Sequence, residues 1–319
     1  MEIKERDMDA YDVRPEKVVY KEHRRKLGAD ALSLKIISYV WIGLFALICM
    51  LPFYLIIIAS FTPEKTLIRT GYPMILKEFT LEAYKLALKN PGEILRSYGV
   101  TAFVTIVGTF LSIFLATMTG YCLSRKDFPW RNGIAFYFFF TTLFSGGLVP
   151  WYILCIRYLG FKNHIHGLIV PMLFSVWNMI ISKTFMAGIP SAITESAKID
   201  GANDFTIYVR LMIPLSKPLI ATLSLFSALA YWNDWYNCML FITESRSDLY
   251  MLQYYLQRIL GAAEALKTIA EKSGMAVSAM PLESMKMSMT VIATGPIVLL
   301  YPFVQRYFVK GMTIGAVKG

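Results

Sequence analysis

Charge is what this sequence has least of. Of its 319 residues, 17% are charged and 56% are hydrophobic, against roughly 25% charged in soluble domains. A single water-facing globule of this length cannot bury so much apolar side chain, which excludes an ordinary soluble domain. Cysteine is also scarce: Cys49, Cys122, Cys155 and Cys238 all lie in apolar stretches and form no C-x-x-C pair, so neither a disulfide framework nor a zinc site is expected. No G-x-x-x-x-G-K-[ST] phosphate loop occurs, and Gly315-Ala316-Val317-Lys318-Gly319 lacks both its spacing and its hydroxyl residue. No Ser/His/Asp or Cys/His arrangement is placed for catalysis. His164 and His166 form an H-x-H with no third ligand nearby, the pattern of loop residues rather than of a metal site. There is no fixed-period repeat and no low-complexity tract. The net charge of +10 does not point to nucleic acid, because membrane proteins gather Lys and Arg in their cytoplasmic segments.

What the sequence does have is long stretches without charge. A helix needs about 20 mostly apolar residues to cross a bilayer, and six stretches qualify as candidates. They run from Ile36 to about Phe61, Ser97 to Ser124, Asn132 to Ile156, about Gly167 to Ser182, Pro218 onward with a break at Asp234, and Met287 to about Gln305. The expected fold is therefore an all-α membrane protein with six transmembrane helices. Six spans place both termini on one side, and that side collects 19 of the 32 lysines and arginines. The positive-inside rule then puts both termini in the cytoplasm. Residues 1–35 form a charged cytoplasmic tail whose cluster Lys21, Arg24, Arg25 and Lys26 suits anionic lipid headgroups. Residues 36–305 form the membrane domain and 306–319 a cytoplasmic tail.

The cytoplasmic loop 190–218 carries the most information. Ser191 or Thr194 suits the start of a short helix with Glu195 in its first turn. Gly201 then permits a left-handed turn, and a second helical piece follows from about Asn203 to Leu211. Pro214 and Pro218 redirect the chain into the fifth span. The spacing Glu195-x-Ala197-x-x-Asp200-Gly201-Ala202, followed by Pro214, resembles the EAA loop of ABC importer permeases. Ser196 stands where the family has its central alanine. Pro218, the Trp232-Asn233-Asp234 element and the end from Gln305 to Gly319 are similar to the second permease subunit of maltodextrin-type importers in the carbohydrate branch. The resemblance runs from the first span to the last residue. It implies a type I importer permease fold and no enzymatic activity or cofactor in this chain, with ATP and Mg²⁺ held by a partner ATPase. It also implies four kinds of partner: a second permease, two ATPase subunits, an extracytoplasmic sugar-binding protein, and the lipid of the cell membrane, which the chain crosses several times. Glu195, Ser196, Ala197, Asp200, Gly201, Ala202 and Pro214 would form the ATPase-coupling loop, and Lys318 and Gly319 would reach the ATPase interface.

Two further features bear on transport. Asp234 is the only carboxylate within the six stretches, and ionisable groups at membrane depth are costly and usually functional. It lies about 24 Å beyond Pro218 along a helix rising 1.5 Å per residue. With Trp232 and Asn233 it offers ring faces, an amide and an acid that suit a sugar, although the same residues suit an interfacial aromatic belt. Trp177 and Asn178 form a second candidate lining. The extracytoplasmic loops 62–96 and 244–286 are long enough to meet a binding protein, and Leu249, Leu252, Tyr255, Leu256 and Ile259 fall at helical spacing. The substrate class that the resemblance implies is a carbohydrate, an oligosaccharide. The rival reading is an ion-coupled secondary transporter. Such proteins show paired broken helices or several buried carboxylates, whereas this sequence offers Asp234 alone.

Overall fold

The computed structural model describes residues 29–272 and 281–298, and every element among them is helical. The charged N-terminal cluster and the C-terminal pair Lys318 and Gly319 lie outside the described residues. The chain divides into two units, Met1–Pro52 and Phe53–Gly319. The described part of the first is most of helix α1 (Ala29–Ser60), which carries Pro52 inside it. It is apolar on all sides, and an 18-residue window within Leu32–Ser60 reaches a mean hydropathy of 2.7.

The second unit is organised around α4 (Pro91–Ser124), which follows two short helices, α2 (Glu64–Thr70) and α3 (Glu82–Ala87). Pro91 suits the first turn of α4, where its missing N–H would go unpaired anyway. At 34 residues and 1.5 Å per residue the helix is about 50 Å long. Arg125 ends it in extended backbone. Next come α5 (Arg131–Leu143), α6 (Leu148–Ile153) with a π-helical extension to Tyr158, α7 (His166–Ile169) with a 3-10 turn to Met172, and α8 (Val176–Ala187). Then follow α9 (Ser191–Ile199), α10 (Asp204–Ile207) with a π-helical run to Met212, α11 (Ile213–Leu215), α12 (Lys217–Trp232), α13 (Tyr236–Phe241) and α14 (Leu252–Lys272). Among the described residues the final helix, α15, covers 282–298.

Among the described residues two helices, Leu32–Ser60 and Pro91–Ser124, are each long and apolar enough to cross a membrane, and three bent pairs bring the number to five if each pair is one span. The third candidate stretch is thus not one straight helix. It folds by 114° between Leu143 and Leu148, where Ser145-Gly146-Gly147 interrupts the apolar run and Gly147 takes φ +85°. The fourth bends by 51° ahead of Val176, and the fifth is entered through an 83° bend between Leu215 and Lys217, the turn expected from Pro214 and Pro218. The sixth stretch is described only as far as residue 298.

Two hydrophobic clusters form along α4. At one end Ile113 and Tyr121 of α4 pack with Met186, Ala197, Ile207, Tyr208, Leu219 and Leu223. At the other, Ile94 and Val104 pack with Tyr231, Trp232, Met251, Leu252, Tyr255 and Met289. Hydrogen bonds fasten this second end: the Leu252 amide donates to Thr101 Oγ1 at 2.8 Å, Tyr255 to Glu93 at 2.8 Å, and Trp232 Nε1 to the Ala293 carbonyl at 3.0 Å.

Glu64 of α2 is buried, and its carboxylate accepts from the backbone amides of Glu283 and Ser284 at 3.0 and 2.9 Å and from the Ser284 hydroxyl at 3.1 Å. It caps the first turn of α15, where an anion also meets the positive end of the helix dipole. Replacing Glu64 with Ala leaves two amides unpaired in a buried place, a loss of about 1–3 kcal/mol. Gln keeps an acceptor. The thermal midpoint of the purified protein should therefore fall in the order Glu, Gln, Ala, and equal midpoints would remove the capping account.

Candidate functional site

Pro190 precedes α9, and neither Ser191 nor Thr194 caps it. Ser191 is already the first helical residue, and the Thr194 hydroxyl donates back to the Ser191 carbonyl at 2.8 Å. The far end of α9 is built as the sequence suggests. Gly201 stands at φ +81°, the Ala202 amide donates to the Ala197 carbonyl at 2.9 Å and the Gly201 amide to the Lys198 carbonyl at 3.0 Å. Those two bonds with a left-handed glycine are a Schellman motif. Ala197 and Ala202, which bracket the motif, both pack on the cluster around Tyr208 and Met212. Asn203 then caps α10, its side-chain oxygen accepting from the Thr206 amide at 2.8 Å.

The result is two short helices joined by a tight turn, with one face on the core and one open. Ala197 is buried, while Glu195, Ser196, Asp200 and Gly201 are exposed. Pro214, in α11, is also exposed. Small residues and the exposed acids Glu195 and Asp200 on this turn let another protein's backbone come close.

A charge network ties this turn to the end of α4. Arg125 donates to Asp127 through Nε at 2.8 Å and through Nη2, and through Nη1 to Asp204 at 2.6 Å and to the Tyr121 hydroxyl at 2.7 Å. Lys198 of α9 pairs with Asp127 at 2.9 Å and lies 3.9 Å from Asp204. Hydrogen bonds from Arg125, then Lys198, hold the Asp127 carboxyl well below its usual range, and the bond to Asp127 raises Arg125 in turn. A depressed carboxyl stabilises the fold above its unfolded pKa, about 3.9, and loses that contribution as pH falls through the lower folded value. At neutral pH the Arg125–Asp127 pair is fully ionised.

The other candidate residues separate. Trp177 and Asn178 are adjacent on α8 but diverge: Trp177 is exposed and Asn178 is buried, donating to Ser227 Oγ at 3.2 Å. Trp232 points into the packing against α15. Asn233 is exposed and accepts from Gln253 at 3.1 Å. Asp234 turns inward, where its carboxylate accepts from the backbone amide of Asn237 at 3.1 Å and its side-chain amide at 2.9 Å. Asp234 therefore closes the break between α12 and α13, and Trp232, Asn233 and Asp234 do not converge on a common cavity. A cavity of about 440 Å³ lies instead beside Asn178, lined by Ser112, Ser175, Ser227, Phe174, Phe226 and Tyr231. Its hydroxyls, amide and rings are uncharged and suited to the faces and hydroxyls of a sugar.

No protein-family model matches this sequence. Among curated proteins, it is 38% identical to the polygalacturonan/rhamnogalacturonan transport system permease protein YtcP of Bacillus subtilis (strain 168), over 88% of this chain and 96% of that protein. The chain belongs to the carbohydrate branch of the ABC importer permeases. Protein LplC of the same organism is 36% identical over 94% of this chain and 99% of its own length. Among solved structures, a bacterial ABC transporter involved in the import of the acidic polysaccharide alginate matches with a TM-score of 0.71 and 26% identity, covering 88% of this chain and 98% of that one. The permease is thus non-catalytic, with ATPase activity on a separate subunit.

Sequence reasoning about the permease missed the cavity's Ser112 and Ser227 and the Arg125 network. The segment Arg125 to Arg131 reads from sequence only as a topology signal, and nothing in one sequence brings Asp204 to Arg125 from 79 positions away. Asn178, named from the sequence with Trp177 as a candidate lining, borders the cavity.

Proposed function

We propose that the permease crosses the cell membrane six times with both termini in the cytoplasm, forms half of a translocation path for an oligosaccharide, and is driven by a separate ATPase through the turn from Ser191 to Ile207. Its partners in this reading are a second permease chain, two ATPase subunits that bind ATP and Mg²⁺, and an extracytoplasmic sugar-binding protein, all set in membrane lipid. The observation that carries it is the Schellman-closed turn, which has its apolar face anchored on α4 and Glu195, Ser196, Asp200 and Gly201 presented outward. Loops 62–96 and 244–286 would meet the binding protein, and the tail 306–319, with Lys318 and Gly319, would meet the ATPase. The substrates named for the relatives, polygalacturonan or rhamnogalacturonan and alginate, support an oligosaccharide cargo. The cavity beside Asn178 holds no charge, so in this half of the path sugar rings and hydroxyls are the natural ligands, with carboxylates met elsewhere.

The test is affinity purification of the tagged chain in mild detergent. It should recover a second permease and an ATPase, and replacing Glu195 to Ala202 with a Gly/Ser linker should release the ATPase. A single-chain protein without ATPase whose uptake follows an ion gradient would establish the secondary-transporter reading instead. Within the importer reading, Asn178→Ala orphans the Ser227 hydroxyl and alters the cavity. Uptake of oligogalacturonates should fall about tenfold, the equivalent of 1.4 kcal/mol, with ATPase recovery unchanged. Unchanged uptake would remove this cavity from the path.

A further inference from the structure

α4 is fastened at both ends to elements far from it in sequence. At one end Thr101 and Glu93 hold α14, and at the other Arg125, Tyr121 and Thr117 hold the coupling turn. There the Tyr121 and Tyr208 rings stack at 5.6 Å and the Tyr208 hydroxyl meets Thr117 Oγ1 at 2.8 Å. Between the two ends Ser112 lines the uncharged cavity. A helix without an interior proline moves largely as a rod, so whatever displaces one end displaces the cavity wall and the α14 contact. The covalent route from the turn is poorer, because it reaches α12 only through the π-helical run Tyr208–Met212 and an 83° bend.

Arg125 is the group that makes the first route rigid. It is the C-cap residue of α4; its side chain is 14% exposed, and Nε, Nη1 and Nη2 all donate. One planar fork thereby joins α4 to the first turn of α10 directly and, through Asp127 and Lys198, to the last turn of α9. The two limbs of the turn and the end of α4 become one body, a geometry that a lysine point charge cannot reproduce.

We infer that Arg125 is a positioning residue for energy coupling: through Asp204, Asp127 and Lys198 it locks α4 to the coupling turn, so that ATPase movement is delivered along α4 to the cavity and to α14. The inference rests on the coupling reading above.

The test uses the complete purified complex, with exposed Cys49 and Cys122 replaced by Ser and spin labels at Leu95→Cys on α4 and Arg210→Cys beyond α10. Both label sites are exposed. The spin–spin distance is measured nucleotide-free and trapped with ATP and vanadate. With Arg125 present, the distance should be the same in the two states. In Arg125→Gln it should shift between states by more than the width of the wild-type distribution, with Arg125→Lys intermediate. Asp204→Asn, whose side chain is 64% exposed, cuts the same link with little demand on folding and should act as Arg125→Gln does. It decides the matter if the arginine variant does not assemble. A distance that already changes in the wild type, or that stays constant in Arg125→Gln and Asp204→Asn, overturns the inference. The underlying reading is tested separately by cross-linking exposed Ala192→Cys to the ATPase. Failure of that cross-link in wild type sinks the docking reading, whereas a cross-link with constant distances in the variants sinks the α4 lock alone.

Discussion

Replacing Gly120 with Ala should lower the thermal midpoint of the permease and the amount recovered folded, and Val should abolish recovery. A methyl at Gly120 would stand 2.5 Å from Ser182 Cβ, 2.9 Å from the Lys183 backbone nitrogen and 3.0 Å from the Ser182 carbonyl carbon. Carbon atoms pack at about 3.5–4.0 Å, so α4 and α8 would have to separate by on the order of 1 Å. Two of the three obstructing atoms are backbone, which cannot rotate aside. Inserting a methylene into a close-packed place costs about 1–3 kcal/mol, and Val demands more. The separation would also carry Asn178 and Ser182 of α8 away from α4, opening the wall of the uncharged cavity. Gly99, on the same helix, supplies the opposite sign: no atom lies within 4 Å of the position a methyl would take there, and Gly→Ala in a helix interior gains up to about 1 kcal/mol. Thermal unfolding monitored in detergent should move down for Gly120→Ala and stay level or rise for Gly99→Ala. Equal midpoints for the two would show that the α4–α8 contact is looser than the structure has it.

That contrast also shows what the sequence could and could not disclose. Both glycines sit in one apolar run, and only the path of α8 distinguishes them. The C-terminal end of α4 was legible, because charge resumes at Arg125 and hydropathy reports on the bilayer as solvent, whereas the helix begins at Pro91, six residues before the charge-free stretch opens at Ser97, because charged Glu93 and Arg96 are no bar to helix outside the apolar run. The 114° fold in the third stretch was harder to see. Apolar composition persists through Ser145-Gly146-Gly147, and a count of charge-free residues carries no information on backbone angle. The tight turn at Gly201 was legible because its signals are local: a glycine that must take positive φ, with small residues on either side. Asp234 and Trp232 were legible as unusual residues but not as to partner. Asp234 closes a helix break through Asn237, three residues on, whereas the Trp232 bond to Ala293 on α15 depends on where the chain returns 61 residues later. Arg125 illustrates the same limit, since its value lies in reaching three elements at once.

Replacing Gly201 with Val should leave the permease inserted and assembled but reduce ATP-driven carbohydrate uptake at least tenfold. No neighbouring atom lies within 4 Å of a methyl placed at Gly201, so nothing collides and the core is not disturbed. The obstacle is the backbone itself: at φ +81° an L side chain meets its own carbonyl at a cost of roughly 1–2 kcal/mol, and a β-branched one is a true outlier there. The cheapest relief is to rotate the residue out of the left-handed region, which breaks the two bonds to Ala197 and Lys198 and changes the angle between α9 and α10. The charge network then loses its geometry, because Lys198 and Asp204 stand on opposite sides of the turn. Stability should fall by no more than that local strain, while coupling, which depends on the angle, should fall far more. Asn tolerates the left-handed region better than other non-glycine residues, so uptake should rank Gly, Asn, Ala, Val, with uptake per ATP hydrolysed falling in the same order and membrane insertion flat across the series. Wild-type uptake by the Val variant would remove the turn from the coupling route. A series that follows side-chain volume, with Asn below Ala, would point to the docking surface rather than to backbone conformation.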